Sequence, residues 1–69
     1  MGLNMQIETE IWHGSIRYII FTHKRQDKYR TTITRIDTVT DFKTTLASVV
    51  LNKKYEAVKY HSDYVNLIG

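Results

Sequence analysis

A chain with no cysteine has no disulfide to hold it, and at 69 residues this one has little core to put in its place. A domain of that size buries only about 60% of the surface its unfolded chain exposes, so its stability margin is thin. Hollowing such a core into an enclosed substrate cavity would remove most of that margin. Any function is therefore expected on an outer face, a groove or a loop. One domain over 1–69 is expected, with residues 1–4 as a loose N-terminal end and Met5 beginning the ordered part.

The chain has enough apolar and aromatic material to fold: 42% of residues are hydrophobic and 12% aromatic. The longest clean apolar stretch, Tyr18 to Phe21, is far short of the ~20 residues a spanning helix needs, so no membrane partner is expected. Met1 to Gln6 lack the basic and apolar regions of a signal peptide. Gly2 does not make a myristoylation signal, because Gln6 stands where Ser or Thr is required. Absence of thiols fits a reducing compartment, and a cytoplasmic location is expected.

Periodicity then divides the chain. From Met5 to Trp12, Met5, Ile7, Thr9 and Ile11 alternate with Gln6, Glu8 and Glu10, which reads as a half-exposed strand with one acidic face. His13-Gly14-Ser15 supplies a tight turn. Ile16 to His23 is apolar on both faces and reads as a central strand. Lys24 to Lys28 is a polar turn, and Tyr29 to Ile36 is a third strand.

Val39, Phe42, Leu46, Val49 and Val50 then recur at helical spacing, with Thr38 and Asp41 as a capping box. Lys53 and Lys54 would sit at the helix end and Asn52 would stop it. Tyr55 to Ile68 is expected to be strand, with a turn at His61-Ser62-Asp63; a helix through Val58, His61, Val65 and Ile68 is the competing reading. The fold class expected is α+β: a small antiparallel sheet in the order β-β-β-α-β, with room for one further C-terminal strand and one helix packed on a face.

Catalytic motifs are missing. Glycines occur only at 2, 14 and 69, so no phosphate-cradling loop can be built. His13, His23 and His61 have neither helical pairing nor cysteines to complete a metal shell. His61, Ser62 and Asp63 have the residue types of a triad, but three successive side chains cannot point at one another. Glu8 and Glu10 share a strand face, yet a chain this small has too little bulk to shield a carboxylate pair from water for acid/base work. No enzyme activity, catalytic residue, metal or cofactor is expected.

The positive signal is basic. The net charge is +3, and His23, Lys24, Arg25, Lys28, Arg30 and Arg35 fall within one short segment interrupted by a single acid, Asp27. Lys24, Arg25, Lys28, Arg30 and Arg35 are expected to contact the phosphates of nucleic acid, with Tyr29 stacking on a base. Solvated turn charge that deters edge-to-edge aggregation competes with that reading. Tyr55, Tyr60 and Tyr64, near Lys53, Lys54 and Lys59, form a candidate protein-contact patch. The alternative function is thus a small regulator or inhibitor of the phage or mobile-element type, binding a host protein stoichiometrically. An exposed edge strand also makes a homodimer an expected alternative.

Overall fold

Alternating side chains carry the first half of the chain into the expected strands: β1 (Gln6–His13), β2 (Ile16–Arg25) and β3 (Lys28–Asp37). The computed structural model describes residues 5–69, so the loose end expected at 1–4 lies outside the described residues. β4 (Phe42–Leu51) follows, and the chain ends in α1 (Lys54–Ile68). The strands form an antiparallel meander in the order β1-β2-β3-β4, and α1 packs on one face of it. The fold is α+β, with the element order ββββα and not βββαβ.

Two expectations are overturned. The segment at 39–50 is not a helix. Thr38 to Asp41 make the loop of the β3–β4 hairpin, where Asp37 Oδ1 accepts hydrogen bonds from the backbone N–H groups of Val39 at 3.0 Å and Thr40 at 3.3 Å. Thr38 caps nothing; its hydroxyl donates to the Ser15 carbonyl at 2.6 Å. The strand then contains a bulge: Ile33 pairs with Ala47 but Thr34 with Thr45, leaving Leu46 extra on β4. That phase slip breaks the period of two and imitates helical spacing.

The second correction concerns Tyr55 to Ile68, which is helix. Ala57 and His61 are its buried residues, with Tyr60, Tyr64, Val65 and Ile68 half-buried on the same side. The apolar stripe is interrupted by a histidine and by a single small residue at the closest approach to the sheet. Lys53 and Lys54 consequently stand at the helix start, where the dipole disfavours them, and not at its end. Glu56 offsets this by accepting the Lys53 backbone N–H at 3.3 Å. Gly69 closes the helix by donating its N–H to the Val65 carbonyl at 2.8 Å.

The core lies between α1 and the central strands. Ile20 and Ile33 are cross-strand partners with no exposure, each worth roughly 1.5–3 kcal/mol of burial. Beside them Thr22 and Thr31 are also fully buried. Gly14 takes φ +62° at the first central position of the β1–β2 turn, where a II′ turn requires it. Gln26 adopts φ +60° in the β2–β3 turn without being glycine.

Candidate functional site

Strand alternation assigns every sheet residue to one of two faces. The register puts Ile7, Thr9, Ile20, Thr22, Thr31, Ile33, Ala47 and Val49 under α1. The opposite face has no element over it among the described residues. Trp12, Arg17, Ile36 and Lys43 form one row across it, and Glu8, Phe21, Thr32 and Ser48 another. Next to the second row come Gln6, His23, Arg30 and Val50, followed by Arg25 beside Lys28.

Charge is distributed unevenly between the faces. The open face holds five cations (Arg17, Arg25, Lys28, Arg30 and Lys43) against Glu8 and Glu10, which equals the chain's whole excess of +3. Elsewhere five cations (Lys24, Arg35, Lys53, Lys54 and Lys59) are balanced by five carboxylates (Asp27, Asp37, Asp41, Glu56 and Asp63). Both open-face acids lie on β1, so the basic ground is β2 to β4. Arg17 pairs with Glu10 and lies 5.9 Å from the Trp12 ring centroid.

Two of the remaining cations, Lys28 and Arg30, are held by neutral partners. Lys28 Nζ donates to Asn52 Oδ1 at 2.9 Å, and Arg30 Nη1 donates to Ser48 Oγ at 2.9 Å. These bonds orient each charge without cancelling it. Arg25, Gln26, Lys28, Tyr29, Arg30 and Val50 line an open concavity of about 310 Å³ at the hairpin end. Aromatic groups accompany the charge: Phe21 and His23 stack with ring centroids 5.1 Å apart, and Trp12 is 52% exposed.

The basic segment picked out in the sequence is thus divided. Arg25, Lys28 and Arg30 are brought together on the open face. Lys24, Tyr29 and Arg35 alternate to the α1 side, where Tyr29 is half-buried opposite Leu51 and Arg35 half-buried between Tyr18 and Thr44. Arg17, Lys43, Trp12 and Phe21 belong to the same face as Arg25 and were missed, while His23, counted in the basic segment, joins them there. The signal was present in the alternation Arg17, Ile19, Phe21, His23, Arg25, hidden by the apolar residues on both faces of β2.

The tyrosines divide as well. Tyr60 and Tyr64 pair on α1 at 5.1 Å, and burial pushes the Tyr60 phenol above its usual pKa, helped by the Tyr64 hydroxyl beside it. Tyr55 is exposed and lies about 140° around the helix from Tyr60, so the three make no single patch. The histidines also separate. His13 meets Tyr18 edge-on at 5.6 Å, far along the hairpin from His23. Among the described residues no group of three or more His, Asp or Glu side chains could hold a metal ion. No helix among them is long and apolar enough to cross a membrane.

His61 is 5% exposed under the sheet. Its Nδ1 hydrogen-bonds with Thr22 Oγ1 at 2.7 Å and its Nε2 with Thr9 Oγ1 at 2.8 Å, while Thr22 Oγ1 bonds to Thr31 Oγ1 at 2.7 Å. Burial lowers the imidazole pKa, favouring the neutral ring. One hydrogen-bond chain satisfies all four side chains. Ser62 and Asp63 point elsewhere: both are exposed, and Asp63 accepts from Lys59 Nζ at 2.9 Å.

Compared with protein-family models, curated proteins and solved structures, the chain finds no match among any of them.

Proposed function

We propose that this chain binds single-stranded nucleic acid, without strong sequence preference, across the open face of its sheet. The observation that carries the reading is the coincidence of the whole charge excess with the stacked Phe21–His23 pair and exposed Trp12 on that face. Cations on β2 to β4 attract phosphates, and flat aromatic rings offer surfaces on which unpaired bases stack. A single strand suits this better than a duplex, whose bases are already stacked on each other and reached only by an element that enters a groove. Glu8 and Glu10 on β1 bound the track on one side. Arg25, Lys28 and Arg30 around the hairpin concavity supply its densest charge.

The test compares two charge-matched variants by fluorescence anisotropy with a labelled oligothymidylate and oligouridylate. Four cations other than Glu10-paired Arg17 predict a slope of log affinity on log salt of about −3, at roughly 0.7 per neutralised phosphate on single strands. Arg25→Ala/Lys28→Ala/Arg30→Ala is expected to reduce that slope by about 2. Lys53→Ala/Lys54→Ala/Lys59→Ala removes equal charge from the helix side and is expected to leave the slope near its original value. Equal losses in both variants would mean that net charge alone, and not this face, drives association.

A further inference from the structure

The two edges of the sheet are built differently. β4 carries the Leu46 bulge, which disturbs the ladder and deters another strand from pairing there. β1 is regular over eight residues and has a strand on only one side among the described residues. The Lys24 N–H donates to the Met5 carbonyl at 2.9 Å, which makes Met5–Lys24 a hydrogen-bonded pair of the ladder. Alternation along an antiparallel ladder then turns the backbone groups of Ile7, Thr9 and Ile11 toward β2 and those of Gln6, Glu8, Glu10 and Trp12 outward.

A groove runs beside that edge. Ile7 and Thr9 from β1 face Val58, His61, Ser62 and Val65 from α1 around a concavity of about 390 Å³. Helical spacing places Val58, Ser62 and Val65 on the β1 flank of α1, with Tyr60 and Tyr64 on the other. A strand added to β1 would direct every second side chain into this groove, against Ile7, Val58 and Val65. Its other side chains would lie beside Glu8 and Glu10, which project from the opposite face of β1.

We propose that the outer edge of β1 and the adjoining flank of α1 form a docking groove for an extended segment of a partner protein, added as a fifth strand. Outward backbone groups supply main-chain pairing, and the groove selects alternate apolar residues. The carboxylate of Glu8 selects a cationic residue at a position between, while Glu10 is already paired with Arg17. A second copy of this chain is disfavoured, because antiparallel β1–β1 pairing centred on Thr9 would set each Glu8 opposite the partner's Glu10. The groove lies on the other side of the sheet from the nucleic-acid face and shares with it only the marginal Glu8, so the inference does not depend on that reading.

The probe is an end-blocked peptide of alternating lysine and valine, titrated into the full chain and followed by isothermal calorimetry and amide NMR shifts. Binding is expected to shift residues of β1 and the Val58–Val65 flank of α1. Methylating the peptide nitrogens that face β1 is expected to abolish it. Ser62→Trp, which fills the groove from an exposed position, and Glu8→Lys, which reverses the charge, are each expected to weaken binding at least tenfold. Oligonucleotide binding by Ser62→Trp should remain unchanged, which keeps the two sites distinguishable. No binding by the peptide, binding that survives methylation, or a concentration-dependent dimer lost in Glu8→Pro would each overturn the proposal.

Discussion

Replacing Thr22 with valine tests whether the buried hydroxyl–imidazole chain holds the helix to the sheet. The substitution keeps the shape of the side chain and deletes one oxygen. That oxygen serves both His61 Nδ1 and Thr31 Oγ1, each at 2.7 Å, and Thr22 itself has no exposure. Among the described residues no buried side-chain nitrogen or oxygen lacks a partner, so the change creates a defect where none exists. An orphaned buried polar group costs about 1–3 kcal/mol, and the gain from a buried methyl offsets part of it. Thr22→Val should therefore destabilise the protein by about 2 kcal/mol.

At about 4–8 °C per kcal/mol for a domain of this size, Tm should fall by about 8–16 °C. Thr31→Val leaves the Thr22–His61 bond intact and should cost about 1 kcal/mol. The double variant should cost less than the sum, because Thr31 no longer has a lost partner to miss. Urea unfolding followed by circular dichroism measures all three. A Thr22→Val protein within about 0.5 kcal/mol of the parent, or strict additivity in the cycle, would refute the network as a source of stability.

His61 is held neutral in the fold, so its pKa is lower folded than unfolded. Its contribution is complete above the unfolded value near 6.5 and is lost as pH falls from there toward the lower folded value. Urea midpoints across that range should fall with acid in the parent, and the His61 part of the slope should vanish in His61→Gln. Gln26→Gly relieves a non-glycine residue at φ +60° and should raise stability by about 0.5–1 kcal/mol in the same assay. Ala57 has no exposure where α1 meets the sheet, so Ala57→Leu should cost about 1–3 kcal/mol through overpacking, read as a lower thermal midpoint.

The first half of the fold was legible because β1 and β3 keep a period of two and β2 is a β-branched and aromatic run apolar on both faces, between turns marked by Gly14 and by the polar Lys24–Lys28 stretch. The second half was not, for two local reasons. The Leu46 bulge shifts the phase of β4, so Phe42, Leu46, Val49 and Val50 recur at helical intervals in a segment whose Thr44, Thr45, Val49 and Val50 favour strand. In α1 the inward stripe is carried by Ala57 and His61, whose composition does not announce a core, although the competing helical reading through Val58, His61, Val65 and Ile68 had the right period. Arg25, Lys28 and Arg30 could be picked out as neighbours in sequence. Joining them to Trp12, Arg17, Phe21 and Lys43 required the register, because cross-strand rows are not written in sequence order.

Nucleic acid is proposed to bind the uncovered face of the sheet. Proton–nitrogen NMR during titration with a short oligothymidylate addresses it directly, since the chain's single tryptophan lies on that face and reports through its indole N–H. Shifts are expected at the Trp12 indole and at the amides of Phe21, His23, Arg25, Lys28 and Arg30, with α1 nearly unmoved. Shifts confined to α1 and the residues beneath it, or no shifts at low salt, would contradict the account.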